Sequence, residues 1–264
     1  MDDTSESEKV RIYFLPNLMT AGNLACGFFA LTWIFKYQPT PLVTDFEPIV
    51  KAIKLILLGF VFDLFDGRIA RMVRLESKFG REFDSLADIV TFGVAPAFLV
   101  YRIVLQDFHD TAWLISAVYL VCGGIRLARF NVISGGSDKE FLGFPIPSAA
   151  AVVVSVTMFM MWMADKERSL GNWKYILPVL MVMLSILMVS NVRYPTFKRV
   201  DWNQLRSVSV LAAIVTIGLL MVQFFQVTLA LLFVGYMFYG LVRPWLSQRW
   251  RREIEVADGQ NPTG

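Results

Sequence analysis

Long apolar runs separated by short polar breaks dominate this sequence, and nothing else in it restricts the fold as strongly. About 20 apolar residues are enough to cross the hydrocarbon core of a bilayer as a helix. Inside that core, only helices and closed barrels satisfy every backbone polar group. Eight runs are read, at about 15–36, 48–74, 82–106, 111–133, 145–164, 173–191, 206–223 and 226–247, the last two joined near Gln223–Gln226 without a charge. The expected fold is all-α: a polytopic membrane bundle of about eight transmembrane helices. Composition agrees, because 18% of the residues are charged, against roughly 25% in an average soluble domain.

The chain shows no internal repeat, low-complexity stretch or soluble domain, so residues 9–247 are expected to form one membrane domain. Residues 1–8 read as a disordered acidic tail and 248–264 as a polar tail. Between the first tail and the first span, Lys9-Val-Arg-Ile-Tyr-Phe-Leu15 reads as a short surface helix. Lys and Arg accumulate at the cytoplasmic ends of spans. With eight spans both termini share a side, and that side holds 18 of the 25 basic residues. Both termini are therefore expected in the cytoplasm, with the protein in the cell (inner) membrane. Cys26 and Cys122 lie inside apolar runs and read as small hydrophobes. His109 reads as a loop residue, and Trp113, Trp162, Trp173, Trp202 and Trp245 as interfacial anchors.

Against this apolar background, acidic residues stand out where the second span ends and the third begins. Asp63, Asp66, Gly67 and Ala70 fall three and four residues apart, as do Gly80, Asp84 and Asp88. Residues at those spacings share a helix face, and a short connection makes the two helices antiparallel neighbours. Four carboxylates then converge at the cytoplasmic end of a helix pair. Crowded anions in a partly dehydrated site repel one another, and a bound cation relieves that repulsion. Oxygen-only ligands favour Mg²⁺ or Mn²⁺, and two such ions could grip a diphosphate. Gly67, Ala70 and Gly80 leave space for a nucleotide, and Arg71 adds positive charge beside its phosphates. Ordinary ion pairs with Arg68, Arg71, Arg74 or Arg81 would explain one aspartate, but explain four in this register poorly.

The stretch Asp63–Asp88 matches the pattern D-x2-D-G-x2-A-R-x8-G-x3-D-x3-D at every fixed position, and so resembles the signature of the CDP-alcohol phosphotransferases. The resemblance implies a metal-dependent phosphatidyltransferase whose active site opens to the cytoplasmic leaflet. Asp63, Asp66, Asp84 and Asp88 would hold divalent metal, with Asp84 and Asp88 catalytic and Asp88 the general base. Gly67, Ala70, Arg71 and Gly80 would lie against the CDP moiety. Thr20 and Asn23, on a polar stripe of the first span, would also approach CDP, or else bond helix to helix. A homodimer is a further implication.

Three neighbouring stretches resemble the serine-using branch: Asp84–Ala97, Arg126–Asn131 and Phe141–Ala150. The expected substrates are therefore CDP-diacylglycerol and L-serine, giving phosphatidylserine and CMP. Serine's carboxylate needs a cationic or amide partner, and Arg126, Arg129 and Asn131 cluster at the end of the fourth span. Arginine forms bidentate pairs with carboxylates, although the two arginines could instead anchor the helix at the headgroups. Glycerol phosphate and inositol remain open as acceptors. A divalent-cation transporter fits poorly, since transporters favour repeats and midplane sites.

Overall fold

The computed structural model describes residues 3–38, 45–73, 78–105, 112–133, 143–167, 173, 175–192 and 223–242, with backbone alone at 3–16, 70–73, 78, 133 and 164–167. All regular structure among them is helical. Helices α1 (Asp3–Lys36) and α2 (Glu47–Val73) pack against each other more extensively than any other pair. Gly22 faces Phe62, and Tyr37 stacks on Phe46 at 6.4 Å, so the two run antiparallel. Helix α3 (Lys78–Asp88) continues through a π-helical turn (Ile89–Val94) into α4 (Ala95–Ile103) as a single rod. Helices α5 (Trp113–Ile133), α6 (Ile146–Glu167), α7 (Ile176–Val189) and α8 (Phe225–Val242) complete the described bundle.

Among the described residues, five rods are long and apolar enough to cross a membrane: α1, the α3–α4 rod, α5, α6 and α8. Helix α2 carries Glu47, Lys51, Lys54, Asp63, Asp66 and Arg68, and α7 is a shorter apolar helix. Expected spans one to six and eight each meet a helix, whereas the seventh, 206–223, lies outside the described residues except for its last position, and the tail 248–264 lies wholly outside them. One correction concerns the beginning of the chain. Helix α1 runs unbroken from Asp3, so residues 9–15 are its early turns rather than a separate surface helix, and the backbone of 3–8 is helical too.

Helix α6 is the most enclosed span, with Ala149, Ala150 and Val152–Val154 almost wholly buried. Helices α5 and α8 turn much of their surface outward. Phe28, Phe29, Val121 and Leu231 are exposed on the bundle, which suits a chain whose outer solvent is lipid hydrocarbon.

Pro96 helps to explain the π turn. It offers no N–H to the carbonyl of Phe92 four residues earlier. The hydroxyl of Tyr119, fully buried on α5, donates to that carbonyl at 3.1 Å. An unmatched carbonyl costs several kcal/mol in a bilayer, so this bond holds α5 against the turn. The turn also pushes Thr91 into the α1–α2 seam, where only small residues fit. A Cβ on Gly27 would stand 2.9 Å from Thr91 Cα, and one on Gly59 would stand 2.7 Å from Thr91 Cγ2 and 3.0 Å from Asn23 Oδ1. Glycines of this kind let membrane helices approach closely. Gly59→Ala is expected to destabilise the fold by about 1–3 kcal/mol. The melting temperature of the detergent-purified protein reads this, and unchanged melting would show the seam to be loose.

Candidate active site

Three helices build the site. The last turns of α2 carry Asp63 and Asp66, α3 carries Gly80 and Asp84 and ends on Asp88, and α1 supplies Thr20 and Asn23 beside them. One carboxylate oxygen each from Asp63, Asp66 and Asp84 meets the others within 4.8 Å. Asp66 is 4% exposed, whereas Asp63 and Asp84 are half-buried. Asp84 Oδ1 is buried with no hydrogen-bond partner among the described residues. Three converging carboxylates, one with an unmatched buried oxygen, fit a hard divalent cation with oxygen ligands.

Asp88 is not one of the three that meet. It lies one turn along α3 from Asp84, is 5% exposed, and feels the charges of Asp63, Asp84, Asp66 and Arg126. Asn23 Nδ2 donates to Asp88 Oδ1 at 3.2 Å, and Thr20 Oγ1 donates to Asp66 Oδ2 at 3.0 Å. Thr20 and Asn23 thus bond the acids directly, which matches the helix-to-helix alternative for these residues. Gly67 and Gly80 are half-buried on the two acid-bearing helices. The side chains of Ala70 and Arg71 lie outside the described residues.

The residues expected at the serine carboxylate are separated by the fold. Arg126 is 7% exposed, its guanidinium lies 5.3 Å from the Phe130 ring, and its charge acts on Asp88 and Asp63. Its Nε has no hydrogen-bond partner among the described residues. Arg129, three residues on, faces α7 instead, donating to Asn191 Oδ1 at 2.6 Å and to the Val189 carbonyl at 3.4 Å. Asn131 Nδ2 donates to Ser85 Oγ at 3.0 Å, and Ser85 in turn donates to the Arg81 carbonyl. The end of α7 is held from a second direction. Gly143 N–H donates to Val192 O at 2.9 Å and Phe144 N–H to Leu187 O at 3.1 Å, with Gly143 at φ 83°. That backbone conformation needs glycine, which gives the Phe141–Ala150 stretch a structural purpose.

Sequence reasoning missed Thr91, Gly27 and Gly59. Thr91 Oγ1 donates to the Asn23 carbonyl at 2.9 Å, and both glycines make room for that contact. The only signal was a threonine and glycines in apolar runs, which marks nothing by itself.

A bundle of apolar helices with a partly buried, oxygen-only acid cluster at the junction of three of them is suited to holding a divalent cation. The model of the CDP-alcohol phosphatidyltransferase family matches residues 13–190, and the chain belongs to that family. It is 37% identical to a Helicobacter pylori (strain ATCC 700392 / 26695) protein named CDP-diacylglycerol–serine O-phosphatidyltransferase, over 89% of this chain and 92% of that protein. Proteins of the same name from Methanocaldococcus jannaschii and Bacillus subtilis (strain 168) are each 33% identical. The first match covers 74% of this chain and 85% of the relative, the second 70% and 92%.

Proposed function

We propose that this protein transfers the phosphatidyl group of CDP-diacylglycerol to the hydroxyl of L-serine, giving phosphatidylserine and CMP. The observation that carries the reading is the meeting of Asp63, Asp66 and Asp84 beside a separately held Asp88. The relatives' shared name supports serine as the acceptor.

Asp63, Asp66 and Asp84 are the residues to hold divalent metal, two Mg²⁺ or Mn²⁺ ions in this reading. Bound there, the metal would neutralise charge developing on the departing CMP. In this reading Gly67, Ala70, Arg71 and Gly80 border the CDP moiety, with the small residues Gly67, Ala70 and Gly80 leaving room for the nucleotide and Arg71 adding positive charge beside its phosphates. Asp88 takes the proton of the serine hydroxyl through the carboxylate oxygen that Asn23 leaves free. The serine oxygen forms a bond to the lipid-linked phosphorus as the bond from that phosphorus to the CMP oxygen breaks, in line. Arg126 receives the serine carboxylate, and its unmatched Nε–H supports that role. The site opens to the cytoplasmic side, in agreement with the bias of basic residues.

The test supplies purified protein with CDP-diacylglycerol and, separately, serine, glycerol phosphate and inositol. Phosphatidylserine is the expected lipid product, with CMP released about tenfold or more faster with serine than with either alternative. A different preferred alcohol would overturn the acceptor assignment. No CMP release with any alcohol would overturn the reaction.

A further inference from the structure

Asn23 is completely buried on α1, yet it touches the chemistry-bearing part of α3 in two ways. Its amide donates to Asp88 Oδ1 at 3.2 Å, and its backbone carbonyl accepts from Thr91 Oγ1 at 2.9 Å. Asp88 and Thr91 flank the entry into the π turn, so chain and hydrogen bonds close a ring through Asp88, Thr91 and Asn23. The amide's Oδ1 turns towards Gly59, where a side chain would crowd it.

We infer that Asn23 is a positioning residue for Asp88, fixing the rotation of its carboxylate so that the free oxygen faces the acceptor hydroxyl. The inference rests on the proposed role of Asp88 as base. A carboxylate rotates freely about its terminal bond unless something holds one oxygen, and a general base must present its lone pair within hydrogen-bond reach. A neutral amide suits this purpose. It donates one hydrogen bond and adds no cation that would compete for the carboxylate or repel bound metal. Groups that orient the reacting residues from behind commonly matter this way. Asn23 shows no surface to a nucleotide, and Thr20 has its hydroxyl on Asp66 and is 3% exposed. Helix α1 therefore serves the site by aiming acids on both neighbouring helices.

The experiment compares Asn23→Leu, Thr91→Val and Thr91→Ser with wild type. It measures kcat, KM for CDP-diacylglycerol, and CDP binding by calorimetry in Mn²⁺. Asn23→Leu is expected to lower kcat about 30-fold, with KM for the CDP-lipid and CDP affinity changed less than about twofold. Thr91→Val is expected to lower kcat about fivefold, and Thr91→Ser, which keeps the hydroxyl, to restore it. Weakened CDP binding with kcat retained would make Asn23 a nucleotide contact and overturn the proposal. Equal kcat for the Thr91 valine and serine variants would overturn it too, even if Asn23→Leu did not fold. A wild type that prefers another alcohol sinks only the serine assignment, and the variants are then compared on that alcohol.

Discussion

Asp84→Asn should lower the rate of CMP release by about a thousandfold or more, with full turnover by the variant the result that refutes this site. Asparagine keeps the size of the side chain and removes one of the charges that meet within 4.8 Å. Asp84 Oδ1 has no partner among the described residues, so the substitution breaks no internal bond seen there. Its effect on stability should then differ in sign between two conditions. Without metal, removing one of three mutually repelling anions should raise the melting temperature. With Mg²⁺ or Mn²⁺, the wild type should gain stability in proportion to the logarithm of metal concentration over its dissociation constant, and the variant should gain little. Chelation of the wild type should abolish turnover, and added Mg²⁺ or Mn²⁺ should restore it. Undiminished turnover in excess chelator would refute metal dependence.

The acids were legible in the sequence because their information is local. Three- and four-residue spacing fixes a shared face, and the short connection expected between the second and third spans brings two acid-bearing faces together. The helical bundle was legible for the same reason, since hydrophobic length is a property of one segment. What the sequence hid depends on pairs of helices far apart in the chain. Thr20 and Asn23 looked equally like nucleotide contacts and helix-bridging residues until Asp66 and Asp88 were found opposite them. The π turn needs both Pro96 and the distant Tyr119 to be understood. Arg126 and Arg129 looked equivalent at three residues' separation. Three residues leave the second side chain rotated by about 60° around the helix, enough here for one to face the acids and the other α7.

That rotation yields a second expected result of large size. Arg126→Gln should raise KM for serine roughly 300-fold, the loss when one partner of a buried charged pair is removed, while KM for CDP-diacylglycerol changes little. Arg126 is 7% exposed and its buried Nε–H has no partner among the described residues, so one donor of its planar fork is left to pair with a carboxylate. Arg126→Lys should recover only part of the loss, because an ammonium keeps the charge without the fork. Arg129→Gln supplies the contrast. Its guanidinium already bonds Asn191 and the Val189 carbonyl at the end of α7. That variant should melt earlier and keep its serine KM. Steady-state kinetics on the three variants, with each substrate varied in turn, separate these outcomes. If Arg126→Gln lowered kcat and left serine KM alone, the guanidinium would be a charge partner for Asp88 and Asp63, and the carboxylate would have to bind elsewhere. If Arg129→Gln matched it in serine KM, the orientation of Arg129 towards α7 would no longer account for the difference between the two arginines.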